Sequence, residues 1–255
     1  MFRVYQNTPL EEGALLELEK EAVHHLLHVL RMKSGDRITL FNGQGNEYEA
    51  ELEIPRKSQV MCRILKMKEV NRESSLPLHL VQGIARSGPM DFALQKAVEL
   101  GVHSITPLLT QRSHVSLKPS QWEQKIHHWQ KVLISACEQC GRNTIPRLNP
   151  IISFPEWIAK NKEISSVKIF LCPQGTIPLR EVDVSKNLPI EILVGPEAGW
   201  SEEEMEMARQ AQCLPVSLGP RILRTETVPI VVLGTLQMLA GDLLGRHEEK
   251  EVPHN

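Results

Sequence analysis

The 255-residue sequence has no long apolar run. Its longest mainly apolar stretches, such as Ile190–Val194, which itself holds Glu191, and Ile230–Leu233, fall far short of the ~20 residues that cross a bilayer. No membrane-spanning helix is expected. The first six residues, Met1 to Gln6, hold no apolar segment leading to a small-residue cleavage site, so the sequence reads as a soluble protein of the cytoplasm. Cysteine is scarce: five residues, an odd number, of which only Cys137 and Cys140 form a C-x-x-C pair. A disulfide framework is therefore not expected. Zinc would need two more ligands at similar spacing, and the pair sits in Leu133–Cys140, which reads as continuous helix, so no metal site is expected there. His24, His25 and His28 lack an accompanying carboxylate, and they read as solvated or ligand-facing positions, not metal ligands. Neither a G-x-x-x-x-G-K-[ST] loop nor a complete dinucleotide fingerprint is present. Gly43 and Gly45 begin one, but the next glycine and its helix are missing. Strong net charge is also absent, the total being −2.

What remains is a chain with 41% hydrophobic residues, enough for one large domain or two smaller ones. Charge is unevenly spread. Residues 71–150 carry 9 Lys+Arg against 5 Asp+Glu, whereas residues 151–255 carry 10 against 15. Only the middle third is basic, and a phosphate-binding surface needs local rather than total positive charge.

Residues 1–70 read as a small β domain. Ala22–Met32 has helical spacing, with Val23, Leu26, Leu27 and Leu30 on one stripe. Arg37–Phe41 and Glu47–Glu53 alternate with period two around an Asn/Gly turn, which predicts a hairpin, and Gln59–Lys66 continues in the same style. Residues 71–75 read as a linker inside the polar stretch Glu69–Ser75. From residue 76 to 245 short apolar strands (Leu78–Gln82, Ser104–Leu108, Val167–Cys172, Ile190–Val194) alternate with helices (Asp91–Leu100, Trp122–Cys140, and a closing one from about Pro229 to Leu244). That alternation predicts an α/β domain with a mainly parallel sheet. Residues 246–255 read as a polar tail.

Two loops stand out. Val194–Met205 runs from a strand into a helix whose start is marked by a Ser201/Glu204 capping box, with Trp200 and Met205 as its staple. Val216–Pro229 again joins a strand to a helix, with Thr227 as the expected N-cap. Ligands in open α/β sheets sit at the carboxyl ends of strands, where glycine lets backbone come close; an ordinary strand-to-helix turn is the alternative reading of the first loop. Arg221 and Arg224 either clamp Glu197 and Glu226 or face an anionic or developing-anion ligand.

The ordered motifs Gly195-Pro196-Glu197-Ala198-Gly199 and Leu218-Gly219-Pro220-Arg221-Ile222-Leu223-Arg224-Thr225-Glu226-Thr227 resemble the cofactor loops of SPOUT methyltransferases, and the second resembles the ribosomal RNA small subunit methyltransferase E family in particular. Gln95–Val102 and Ala136–Arg142 resemble two further motifs of that family, and His25–Arg31 with the hairpin resembles its PUA-like RNA-binding domain. The resemblance departs at Ala198, where the family usually has a second glycine, and at Val228-Pro229. It implies a trefoil-knotted C-terminal domain beside a PUA-like β-barrel. It further implies S-adenosyl-L-methionine as methyl donor and N3 of a uridine near the 3′ end of 16S rRNA, in the decoding region of the small ribosomal subunit, as acceptor. A homodimer is implied as well. The expected cofactor residues are Leu171, Val194, Gly195, Pro196, Glu197, Gly199, Leu218, Gly219, Ile222, Leu223, Arg224 and Thr225. Catalysis is expected from Arg224 or Arg221, with Glu226 or Glu197 as candidate base, and RNA contact from Arg31, Lys33, Arg86 and Arg142. A catalytically inactive RNA-binding module on the same fold is the alternative.

Overall fold

The computed structural model describes residues 2–56, 59–113, 119–184 and 188–245; the expected polar tail lies outside them. Two compact units emerge. The first comprises residues 1–73 and 133–145, the second residues 74–132 and 146–255. Residues 133–145, expected within the α/β domain, thus group with the first unit.

In the first unit, β1 (Phe2–Tyr5), β2 (Leu15–Glu17), β3 (Arg37–Phe41), β4 (Asn46–Arg56) and β5 (Gln59–Glu69) form one sheet in the order β1-β3-β4-β5-β2. The period-two pattern puts Ile38, Leu40, Ala50, Leu52, Val60, Cys62 and Ile64 into a buried core, because alternate side chains of a strand share a face. The predicted helix is shorter and changes pitch. It consists of α1 (Lys20–His24) followed by a π-helical turn, His25–Val29, where the Leu30 amide reaches back to the His25 carbonyl. A wider turn rotates later residues off the 3.6-residue stripe, so Leu26 is fully buried while Leu30 is exposed. Arg31 ends the segment in the left-handed region, at φ +55°.

Charged side chains are also buried in this unit. The Arg3 guanidinium pairs with Glu47 at 2.7 Å, stacks over Phe41 and donates to the Asn143 side chain, and Arg72 reaches Glu47 at 2.8 Å. Burial pushes the Glu47 carboxyl up, but the hydrogen bonds from Arg72 and Arg3 outweigh it, and the group is held below the usual carboxylate range. Burial pushes the Cys137 thiol up to about 12, far from thiolate chemistry.

The second unit holds β6 (Leu78–Gly83), β7 (Ser104–Leu109), β8 (Arg147–Leu148), β9 (Ile152–Ser153), β10 (Val167–Leu171), β11 (Ile177–Pro178), β12 (Ile190–Val194) and β13 (Leu214–Ser217). They form one sheet in the order β11-β13-β10-β12-β6-β7-β8, with β9 on β7, and its strand pairs are parallel. The helices are α2 (Ser87–Glu99), α3 (Trp122–Cys140), α4 (Phe154–Asn161), α5 (Glu202–Gln210) and α6 (Thr227–Ala240). The last turns of α3 count with the first unit. The near-continuous apolar strands follow from burial on both faces; β12 is buried at every position. On one face Val81, Leu108, Phe170 and Leu193 pack with Phe154, Trp157 and Trp200.

Three helix boundaries differ from the sequence reading. α2 begins at Ser87, a turn before Asp91. α6 has Glu226 at its N-cap, so Thr227 is its first helical residue, and it ends at Ala240 because Gly241 breaks the backbone. Within α6, Val232, Leu233, Leu236 and Gln237 are buried in the same chain, whereas Val231, Met238 and Leu239 are exposed. No helix among the described residues is long and apolar enough to cross a membrane.

Candidate functional site

Three loops leave the carboxyl ends of parallel strands in the second unit, two of them neighbours (β6 and β12) and the third (β13) separated from β12 by β10. Loop 84–86 follows β6, loop 195–201 follows β12, and loop 218–226 follows β13. In an open parallel sheet this is where ligand crevices form. The loops approach closely at the backbone: a Cβ on Gly83 would stand 2.7 Å from the Pro196 nitrogen, so only glycine fits. The Gly199 amide donates to the Pro196 carbonyl, closing a turn with Gly199 at φ +69°, and Gly219 stands at φ +82°. Ala198, the departure from the two-glycine pattern, leaves this positive φ to Gly199.

Side chains fasten the loops together. The Thr225 hydroxyl donates to the Gly195 carbonyl at 2.7 Å and accepts from Gln82 Nε2 at 3.2 Å, and Gln82 is fully buried. The Trp200 indole N–H donates to the Leu171 carbonyl at 2.9 Å. Ser201 and Glu204 form the expected capping box, which starts α5. Glu204 is almost wholly buried. One carboxylate oxygen accepts from the Ser201 amide and the other from the Gln111 amide, each at 2.9 Å.

Between these loops lies a cavity of about 790 Å³, within the size range of small-molecule and cofactor sites. All twelve residues expected at the cofactor line it, as do Arg221 and Glu226. Arg86 lines it too, and its amide donates to Glu197 at 2.9 Å. Glu197 thus already has a partner, while Arg221 and Arg224 are solvent-exposed beside the cavity. Arg31 and Lys33 are exposed in the first unit. Arg142 is a correction. It is buried, donates through Nε to Glu73 at 2.9 Å and is ion-paired to the same carboxylate through Nη2, so it has no free surface for RNA. Its place in a polar motif gave no sign of this, because the partner is 69 residues away. Sequence reading also missed Gln82, Gln111 and Arg112. Gln82 closes an apolar strand, a position whose polar side chain at a strand terminus is the signal that could have exposed it.

The described residues include no cluster of His, Cys, Asp or Glu suited to holding a metal ion. The cavity offers backbone polar groups at glycine turns, apolar walls, arginines and the carboxylates of Glu197, Glu202 and Glu226.

Comparison with known proteins adds the family. Residues 72–237 match the RNA methyltransferase domain model, and residues 18–69 match the RNA methyltransferase PUA domain model. Ribosomal RNA small subunit methyltransferase E of Buchnera aphidicola subsp. Schizaphis graminum is 37% identical, covering 94% of this chain and 97% of its own length. The Bacillus subtilis protein of the same name is 31% identical over 91% of this chain. Among solved structures, a putative methyltransferase of Legionella pneumophila in complex with the cofactor SAM superposes with a TM-score of 0.90 at 42% identity, covering 95% of this chain and 99% of the other. A ribosomal RNA small subunit methyltransferase E of Neisseria gonorrhoeae bound to S-adenosyl methionine gives 0.87 at 37% identity over the same shares. Similarity over nearly the full length, through both units and the loops that shape the cavity, makes this chain a member of the ribosomal RNA small subunit methyltransferase E family.

Proposed function

We propose that the chain transfers the methyl group of S-adenosyl-L-methionine to N3 of a uridine near the 3′ end of 16S rRNA, in the decoding region of the small ribosomal subunit in the cytoplasm. The observation that carries this reading is the cavity between loops 195–201 and 218–226, in a chain that resembles S-adenosylmethionine-bound relatives from end to end. Bound there, the sulfonium donor supplies an activated methyl group. The chain's own task is alignment: backbone carbonyls and amides of Gly195 to Gly199 and Leu218 to Thr225 fix the donor so that the acceptor nitrogen can approach in line. Loss of the N3 proton leaves negative charge on the uracil oxygens, and the Arg224 or Arg221 guanidinium beside the cavity stabilises that charge as it grows. Glu226, at the start of α6, is the better-placed base of the two glutamates, since Glu197 already accepts from the Arg86 amide. Arg31 and Lys33 in the first unit and Arg86 in the second contribute phosphate contacts.

Two copies of the chain are expected to pair through α6. Val231, Met238 and Leu239 leave an apolar face uncovered on that helix, and twofold pairing is the usual solution for a soluble chain. A single monomeric species in sedimentation at micromolar concentration would remove this part of the reading. Leu239→Asp tests the face, since Leu236 is buried inside the protomer.

The decisive experiment is methylation of small subunits from a strain lacking the activity, with mapping of the modified nucleotide. A methyl group on N3 of a uridine near the 3′ end supports the proposal; a methyl elsewhere, or none with active control enzyme, overturns it. Binding of S-adenosylhomocysteine, measured by calorimetry, separates an inactive fold from an incompetent substrate preparation.

A further inference from the structure

Arg112 is a charged residue at the cavity that neither the family motifs nor the cofactor loops account for. It follows β7, lines the same cavity and is exposed. Its loop is held with unusual care for a surface turn. Thr110 and Ser113 bond to each other through both side chains and backbone. The Gln111 amide is anchored on the buried Glu204 carboxylate, and the Gln111 side chain donates to Glu203 at 2.6 Å. Taking a carboxylate out of water costs several kcal/mol unless it is fully hydrogen-bonded. Glu204 meets that condition only by tying this loop to the start of α5, directly after the cofactor loop. The tie fixes where Arg112 begins.

The guanidinium itself is left almost uncommitted. Its one hydrogen bond among the described residues runs from Nη1 to the Ala198 carbonyl at 3.5 Å, long for an N–H···O bond. Among the described residues no carboxylate pairs with it, in contrast to Arg3, Arg37, Arg63, Arg72, Arg142 and Arg209, each of which has a glutamate within ion-pair distance. A planar group with five donors, fixed at its base and free at its tip, beside a cavity also lined by Arg86, is suited to bidentate capture of a phosphate.

We propose that Arg112 binds a backbone phosphate of the RNA next to the target nucleotide and so positions the acceptor base over the cavity. This rests on the reading of the cavity as a methyl-transfer site. An anionic group of the cofactor is the other conceivable source of the same chemistry, and the experiment separates the two.

Arg112→Ala and Arg112→Lys are compared with the unaltered chain in three measurements: melting temperature, S-adenosylhomocysteine affinity by calorimetry, and steady-state methyl transfer onto small ribosomal subunits lacking the modification at several potassium chloride concentrations. Both variants are expected to melt as the unaltered chain does, since the side chain is exposed, and to bind S-adenosylhomocysteine within about twofold. In Arg112→Ala the KM for subunits is expected to rise by roughly tenfold or more, with the smaller change in kcat, as for loss of one charge-assisted contact. The log–log dependence of kcat/KM on salt should become shallower by about one, the mark of a lost phosphate contact. Arg112→Lys should restore the salt dependence and part of the KM. A fall in S-adenosylhomocysteine affinity with KM for subunits unchanged would move Arg112 to the cofactor and overturn the proposal, and so would unaltered KM and salt dependence. If the unaltered chain neither binds S-adenosylhomocysteine nor transfers methyl, the underlying reading has failed, whatever Arg112 does.

Discussion

Replacing Thr225 with valine removes one hydroxyl and keeps the shape of the side chain. Thr225 is nearly buried, and that hydroxyl is the link between the end of β6 and both loops of the cavity, through Gln82 on one side and Gly195 on the other. Without it, Gln82 Nε2 keeps its bond to the Gly83 carbonyl but has one N–H unpaired in a site closed to water. Its Oε1 already lacks a partner among the described residues, so turning the amide over offers little relief. An unsatisfied buried group costs about 1–3 kcal/mol, and the half-buried Gly195 carbonyl, which water can reach, adds less. The loss is therefore about 2 kcal/mol. For a unit of this size each kcal/mol lowers the melting temperature by about 2–4 °C, which predicts a drop of roughly 4–8 °C. If about 1.4 kcal/mol of that falls on the bound loop conformation, S-adenosylhomocysteine affinity drops about tenfold. Thermal melts and calorimetry read the two effects, with Thr225→Ser expected to stay close to the unaltered chain. A Thr225→Val protein with unchanged melting and unchanged affinity would refute the hydroxyl as the link between the loops.

Two further outcomes follow from the first unit. Arg142→Ala removes the buried partner of Glu73, whose side chain is 20% exposed and keeps the Thr144 amide, so it should destabilise the protein by about 1–3 kcal/mol, visible in chemical denaturation, while RNA affinity of the folded fraction stays unchanged. Glu47 has its carboxyl held below the usual range in the folded state; its stabilising contribution is therefore full above the unfolded-state value and is lost as pH falls through the folded one. Melting temperature should fall on acidification from neutral into the carboxylate range, and Glu47→Gln, less stable at neutral pH, should show a flatter profile in the same scan.

The sequence disclosed those features that depend on neighbours along the chain. The strands at 78–83, 104–109, 167–171 and 190–194 were legible because apolar runs alternate with helical segments, and the start of α5 was legible because Ser201 and Glu204 are three residues apart. The loops around Gly195 and Arg224 were visible through their glycines, and their motif identified the family. Features made by distant partners were not. Gly83 owes its necessity to Pro196, Thr225 to Gln82, Arg112 its placement to Glu204, and Arg142 its burial to Glu73. In each case the sequence marks a motif at most, and only the folded neighbour shows what the side chain holds. The π-helical turn at 25–29 is a different failure: the periodicity of 22–32 was sound, but one widened turn moved Leu30 from the core side to solvent.

Strand order also governs how this chain must be made. β6 lies between β12 and β7, and Leu78 is in register with Ile190. As the chain leaves the ribosome, β6 meets β7 soon after synthesis, but its other edge has no partner until about 110 more residues have been added. At about 5–20 residues per second that edge stays open for roughly 5–20 s. An apolar strand with unsatisfied backbone groups is a template for pairing with other chains, so the nascent protein is most vulnerable to aggregation during this interval, and slow translation of the segment before β12 would lengthen it.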